Sequence, residues 1–118
     1  MINRKIAISD IHGCCKTFNA LLKLLQYGID DELYLLGDYI DRGPDSKGVI
    51  DYIWALKKEG HLVHCLKGNH EQMMLNASFE GNTSDHWTRN GGQATLASFG
   101  ADNVQDIPEE YLIWIRKL

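Results

Sequence analysis

Short apolar runs and helical apolar spacings alternate along the first 70 residues. Lys5 to Ser9 reads KIAIS, a short β-type run. Phe18, Leu21, Leu22 and Leu25 then fall at i, i+3, i+4 and i+7, the spacing of one helical face. Thr17 is the expected N-cap of that helix and Gly28 its stop. Glu32 to Leu36 (ELYLL) predicts a second strand. Val49, Ile50, Ile53, Trp54 and Leu56 predict a second helix from about Ser46 to Glu59, capped by Asp45 or Ser46 and stopped by Gly60. His61 to Lys67 (HLVHCLK) reads as a third strand. The order β-α-β-α-β is that of a parallel sheet with crossover helices, so the fold class is α/β. The second half is expected to be mostly helical: pieces at 71–76 and 93–99, an Asn90-Gly91-Gly92 break between them, and a last helix after Pro108.

Composition narrows the class. The 118 residues suit one domain, and 44% hydrophobic with 24% charged residues is ordinary globular usage. A net charge of -4 argues against a nucleic-acid partner, which calls for a basic face. No apolar run reaches the roughly 18 residues of a membrane span, and the N-terminus is too short in apolar residues for a secretion signal. Three cysteines, two of them adjacent, offer no disulfide framework, which points to a reducing cytoplasm.

Each strand ends in potential metal ligands: Asp10 and His12, then Asp38 and Asp41, then Asn69 and His70. Taken singly, an Asp or Asn after a strand is more often a cap or turn former. His61 and His64 alternate within a strand and lack ligand neighbours. Trp54, Met73 and Met74 read as core, and Cys65 as a small buried hydrophobe. In a parallel sheet, however, ligands bind at the carboxyl ends of strands, so the three clusters converge in space. Oxygen and imidazole donors suit Mn, Fe, Zn or Mg in a hydrolytic site. In "SDIHGCC" (9–15), Asp10 and His12 are the expected ligands. A thiolate role for Cys14 or Cys15 at the helix start is the minor alternative.

These motifs carry a family resemblance. Asp10-Ile-His12-Gly13, Gly37-Asp38-Tyr-Ile-Asp41-Arg42-Gly43 and Gly68-Asn69-His70-Glu71 resemble the D-x-H-G, G-D-x-x-D-R-G and G-N-H-E signatures of calcineurin-like metallophosphoesterases. With His86-Trp87 and Asn90-Gly91-Gly92, the chain is similar to the bacteriophage lambda-type and bacterial Ser/Thr protein phosphatases. The resemblance implies two divalent ions, Mn²⁺ foremost. Asp10 and His12 would bind the first, Asp38 would bridge, and Asn69 would bind the second. It further implies Arg42 and Asn69 as phosphate-binding groups and His70 as general acid oriented by Asp41. A hydroxide activated by both ions would attack a phosphoprotein or phosphopeptide in line. Symmetrical diadenosine tetraphosphatases share D-x-H-G-C and R-G-P. They lack the Asp found here at 41 and have Asp in place of Glu71, so both positions favour the protein phosphatase branch. Lys67 departs from the Arg usual in the eukaryotic members.

Two ligand histidines of the family, in later H-A/G and G-H motifs, have no counterpart here. Residues 1–118 are therefore expected to form one apparently truncated metallophosphoesterase domain with an incomplete second metal site. Little turnover is expected from this chain alone, and its incomplete sheet and apolar YLIWI ending are expected to favour self-association. Two alternatives stand beside the protein phosphatase: a dinucleotide polyphosphate hydrolase, and a non-catalytic metal- or phosphate-binding fragment.

Overall fold

A computed structural model describes residues 3–80 and 84–118. Its sheet holds three parallel strands, β1 (Lys5–Ile8), β2 (Glu32–Leu35) and β3 (Leu62–Cys65), in the order β1-β2-β3. Ile8 pairs with Leu35 and Leu35 with Cys65, so the three strands end level. The crossovers are α1 (Cys15–Leu24) and α2 (Ser46–Lys58). Leu33, Leu35 and Val63 on one sheet face are buried in a common core with Phe18 and Leu22 of α1 and Val49, Ile50, Ile53 and Leu56 of α2. Each such aliphatic side chain contributes about 1.5–3 kcal/mol over its exposed state. The opposite face leaves Lys5, Ala7, Leu62 and His64 exposed.

Helix α2 begins as expected, with Asp45 accepting from the Gly48 amide at 2.8 Å. Helix α1 does not: its cap is Cys14, and Thr17 lies inside the first turn. The start is set by a contact invisible in local sequence. The amides of His12 and Gly13 donate to the carbonyls of Asp38 and Tyr39 at 2.9 and 2.8 Å, which fixes where the chain can turn into the helix.

The later elements are α3 (Asn69–Glu80), α4 (Ser84–Trp87), a π turn (Thr88–Gly92), α5 (Gln93–Phe99), a 3-10 turn (Val104–Asp106) and α6 (Glu109–Arg116). Helix α3 starts two residues earlier and runs four residues further than the apolar spacing suggests. Its second residue, His70, meets the strand exits, its amide donating to Asp38 and its ring lying against His12 and Asp41. The apolar ending is largely packed inward: Tyr111 and Ile115 are buried, Trp54 stacks on Tyr111 at 4.6 Å, and Trp114 meets Tyr39 at 5.8 Å. Met74 is buried as expected, whereas Cys65 is only half-buried. His64 stacks on Tyr34 and lies 3.4 Å from Glu32. Among the described residues, no helix is long and apolar enough to cross a membrane.

Candidate metal centre

Asp10, His12 and Asp38 converge where β1 and β2 end. Each offers one ligand atom, and the three atoms lie within 4.8 Å of one another. Neighbouring groups orient them. The Ser9 hydroxyl donates to Asp10 Oδ1 at 2.8 Å. His12 Nδ1 is 2.8 Å from the Ile40 carbonyl, an acceptor, so the proton sits on Nδ1 and Nε2 is left free to ligate. Asp38 Oδ1 accepts from the His70 amide at 2.9 Å, which ties the central ligand to the start of α3. Two carboxylates and one imidazole, with the ring tautomer set, fit a hard or borderline divalent cation. Among the described residues this is the one group of three His, Cys, Asp or Glu side chains that could share an ion. Asn69 is exposed at the first position of α3, one residue before His70.

The backbone here is unusual. Among the described residues, six non-glycine ones have positive φ, and five are site residues: Asp10 (57°), His12 (44°), Asp38 (57°), Asp41 (77°) and Arg42 (73°). Such conformations persist only where the surroundings impose them, and they gather at functional sites. One imposing contact is the close approach of the β2 and β3 exits. Gly37, at φ 107°, lies against Gly68 so tightly that a Cβ on it would stand 2.6 Å from the Gly68 Cα.

Glu71 completes that junction, and sequence reasoning missed its role. Fully buried, it accepts from the amides of Asp38 (2.7 Å), Gly68 (2.8 Å) and Tyr39 (2.9 Å). Burial pushes its carboxyl above the usual range, while those three amides favour the charged form. Glu71 thus clamps both strand exits from behind the site.

His70 is buried with its ring edge-on to His12, centroids 4.6 Å apart, so it stands beside the ligand cluster. Its Nδ1 lies 2.8 Å from Asp41 Oδ2. Asp41 is fully buried and also accepts from Trp87 Nε1 (2.9 Å) and Thr95 Oγ1 (2.7 Å). Burial raises its carboxyl; the bonds from Thr95, His70 and Trp87 oppose that rise. Arg42, the next residue in the chain, is by contrast exposed.

Cys14 and Cys15 stay outside the cluster. Cys14 Sγ lies 3.6 Å from the His12 carbonyl, and burial together with Asp45 and Asp51 pushes the Cys15 thiol up, away from thiolate chemistry. Replacing both by Ser is expected to leave calorimetric Mn²⁺ affinity unchanged. A loss of about 10-fold, the scale of a disturbed metal shell, would place a thiol in it.

Comparison with known proteins fits this geometry. The family model described as calcineurin-like phosphoesterase matches residues 4–115. The symmetrical bis(5'-nucleosyl)-tetraphosphatase of Buchnera aphidicola subsp. Schizaphis graminum is 45% identical over 69 residues, covering 58% of this chain and 24% of its own length. The serine/threonine-protein phosphatase 1 of Salmonella typhimurium is 38% identical over 86 residues, 72% of this chain and 37% of that protein. A solved structure assigned as a candidate diadenosine tetraphosphatase superposes with a TM-score of 0.68 at 26% identity, over 98% of this chain and 42% of that one. This chain spans between 23% and 37% of the length of the curated relatives compared.

Most of those relatives carry the tetraphosphatase name, and this overturns the protein Ser/Thr phosphatase reading in favour of its alternative. The structure gives the reason. Asp41 and Glu71, the two positions that favour the protein phosphatase branch, are both 0% exposed. One backs His70 and the other holds strand exits, so neither can touch the part of a substrate that distinguishes a phosphopeptide from a dinucleotide. The motifs, the sheet and the matched residues agree at the broader level: the chain belongs to the calcineurin-like phosphoesterase family.

Proposed function

We propose that this chain carries the metal-binding half-site of a hydrolase that cleaves dinucleoside tetraphosphates symmetrically. The observation that carries the chemistry is the convergence of Asp10, His12 and Asp38 beside the buried His70. The tetraphosphatase names of the relatives support the substrate class.

Asp10, His12 and Asp38 would hold a divalent ion, with manganese our first choice and Asn69 beside it for a second. When bound, the ion lowers the pKa of water and polarises a phosphoryl oxygen. The remaining work falls to side chains. The Arg42 guanidinium, planar and permanently charged, suits two oxygens of one phosphate. Asn69 offers an amide to the same group from the N-terminus of α3, where backbone amides also favour anions. Water adds to the second phosphorus, the central P–O bond breaks, and two nucleoside diphosphates leave. His70 faces the oxygen on which the electron pair accumulates.

The test compares ligands on the Mn²⁺-supplemented chain. Diadenosine tetraphosphate is expected to bind at least about 10-fold tighter than a phosphoserine peptide, a gap of about 1.4 kcal/mol. Chromatography of any product is expected to show ADP alone. Tighter peptide binding, or AMP together with ATP, would overturn the proposal.

A further inference from the structure

Trp87 and Thr95 both donate to the same Asp41 carboxylate, yet they are eight residues apart in sequence. Trp87 Nε1 reaches both oxygens at 3.0 and 2.9 Å, and Thr95 Oγ1 reaches Oδ1 at 2.7 Å. In an unbroken α-helix, residues eight apart are separated by about 12 Å along the axis. The π turn between α4 and α5 removes that separation. It contains two non-helical residues, Asn90 (φ -97°, ψ 18°) and Gly91 (φ 109°, ψ 0°), and Asn90 Nδ2 closes it on the His86 carbonyl at 2.6 Å.

The same turn reaches the neighbouring residue. The Gly91 carbonyl accepts the Arg42 amide at 3.0 Å, and a Cβ on Gly91 would stand 2.6 Å from Arg42 Cγ. The Asp41 amide is held too, by Ser46 Oγ at 3.0 Å and Thr95 Oγ1 at 2.9 Å. Asp41 and Arg42 are consecutive residues at φ 77° and 73°. Two adjacent non-glycine residues in that region require external support. Here the support comes from a segment some 50 residues later in the chain, and Trp87, Thr95 and Asp41 are each at most 1% exposed.

We propose that Trp87, Gly91 and Thr95 form a positioning module that sets Asp41, and through it His70, together with the backbone of Arg42. The proposal rests on the hydrolase reading only for what His70 and Arg42 then do. Trp87 can only donate, and the Thr95 hydroxyl spends its one proton on Asp41 while accepting from the Asp41 amide. The carboxylate therefore has acceptor capacity left for one ring proton, that of His70 Nδ1, so the neutral imidazole keeps its proton there and leaves Nε2 unprotonated.

Proton and nitrogen NMR of the 118-residue chain, without metal or substrate, tests this directly. The unmodified chain is expected to show a far-downfield, slowly exchanging His70 Hδ1 signal. Trp87→Phe keeps an aromatic ring, smaller than the indole, but loses the N–H, and Thr95→Val keeps the shape but loses the hydroxyl. Each is expected to shift or broaden that signal, while Thr95→Ser restores it and Trp54→Phe leaves it in place. Gly91→Ala is expected to speed hydrogen exchange of the Arg42 amide by about 10-fold, as a lost neutral hydrogen bond would. Where turnover is measured, Trp87→Phe is expected to lower kcat by about 10-fold with KM little changed, a positioning rather than a binding loss. Trp87→Phe carries the test if Thr95→Val fails to fold. A missing His70 ring proton in the unmodified chain, or an unchanged one in both Trp87→Phe and Thr95→Val, overturns the proposal. The expected shifts in a chain that does not cleave dinucleotides would uphold it and overturn the hydrolase reading alone.

Discussion

Asp38→Asn is expected to abolish measurable Mn²⁺ binding by the chain, a loss exceeding the roughly 10–100-fold that disturbing a ligand's hydrogen-bond partner produces. The substitution is a clean one. Asn keeps an oxygen to accept the His70 amide, which lies 2.9 Å from Asp38 Oδ1, so the start of α3 is preserved. Asn also tolerates the left-handed conformation that Asp38 adopts at φ 57°. What disappears is one negative charge at the junction of β1 and β2, leaving Asp10 and His12 as a two-residue site. Calorimetric titration with the thermal midpoint as a folding control reads the result. An affinity within a few-fold of the unmodified chain would show that the central carboxylate is not a ligand.

His70→Ala is expected to act differently, leaving Mn²⁺ affinity intact while lowering dinucleotide turnover. The size of the loss follows from the leaving group. General acids contribute about 10²–10⁴-fold, most where the departing oxygen is strongly basic. An alkoxide, as from phosphoserine, is such a group. A nucleoside diphosphate is not, because its new terminal phosphate has a pKa near 6. The loss on diadenosine tetraphosphate should therefore lie near 10²-fold, and the loss on a simple alkyl phosphate should be larger. Equal losses on both substrates would assign His70 to electrostatic stabilisation of phosphate rather than to proton donation. A fall in metal affinity parallel to the loss of activity would place the ring in the metal shell.

The three strands and both crossover helices were legible because their apolar residues sit at periods of two and three to four. The ligand clusters were legible because they recur at three successive strand ends. What lay out of sight depends on contacts between distant residues. The start of α1 at Cys15 instead of beyond Thr17 follows from bonds of His12 and Gly13 to the loop after β2. Trp87 stood in the sequence only beside His86 in a family resemblance and Thr95 stood out in no way, because their meeting on Asp41 exists only in the folded chain. Glu71 sat inside a recognised motif, yet its inward direction emerges only from three amides it accepts. That direction also explains why a residue difference within the motif misled the choice between substrates.

The left-handed residues of the site have a consequence for anyone selecting variants of this chain. At on the order of 1 kcal/mol apiece, five such residues withhold an amount near the low end of the 5–15 kcal/mol by which domains stay folded. Glycine would relieve that strain at the ligand carboxylates Asp10 and Asp38, whereas at the buried Asp41 it would leave the Trp87, Thr95 and His70 donors unpaired. A screen that rewards heat resistance alone would thus enrich the substitutions that erase the metal centre, and thermal survival would rise as chemistry vanished. Selection on this chain must reward ion binding alongside stability.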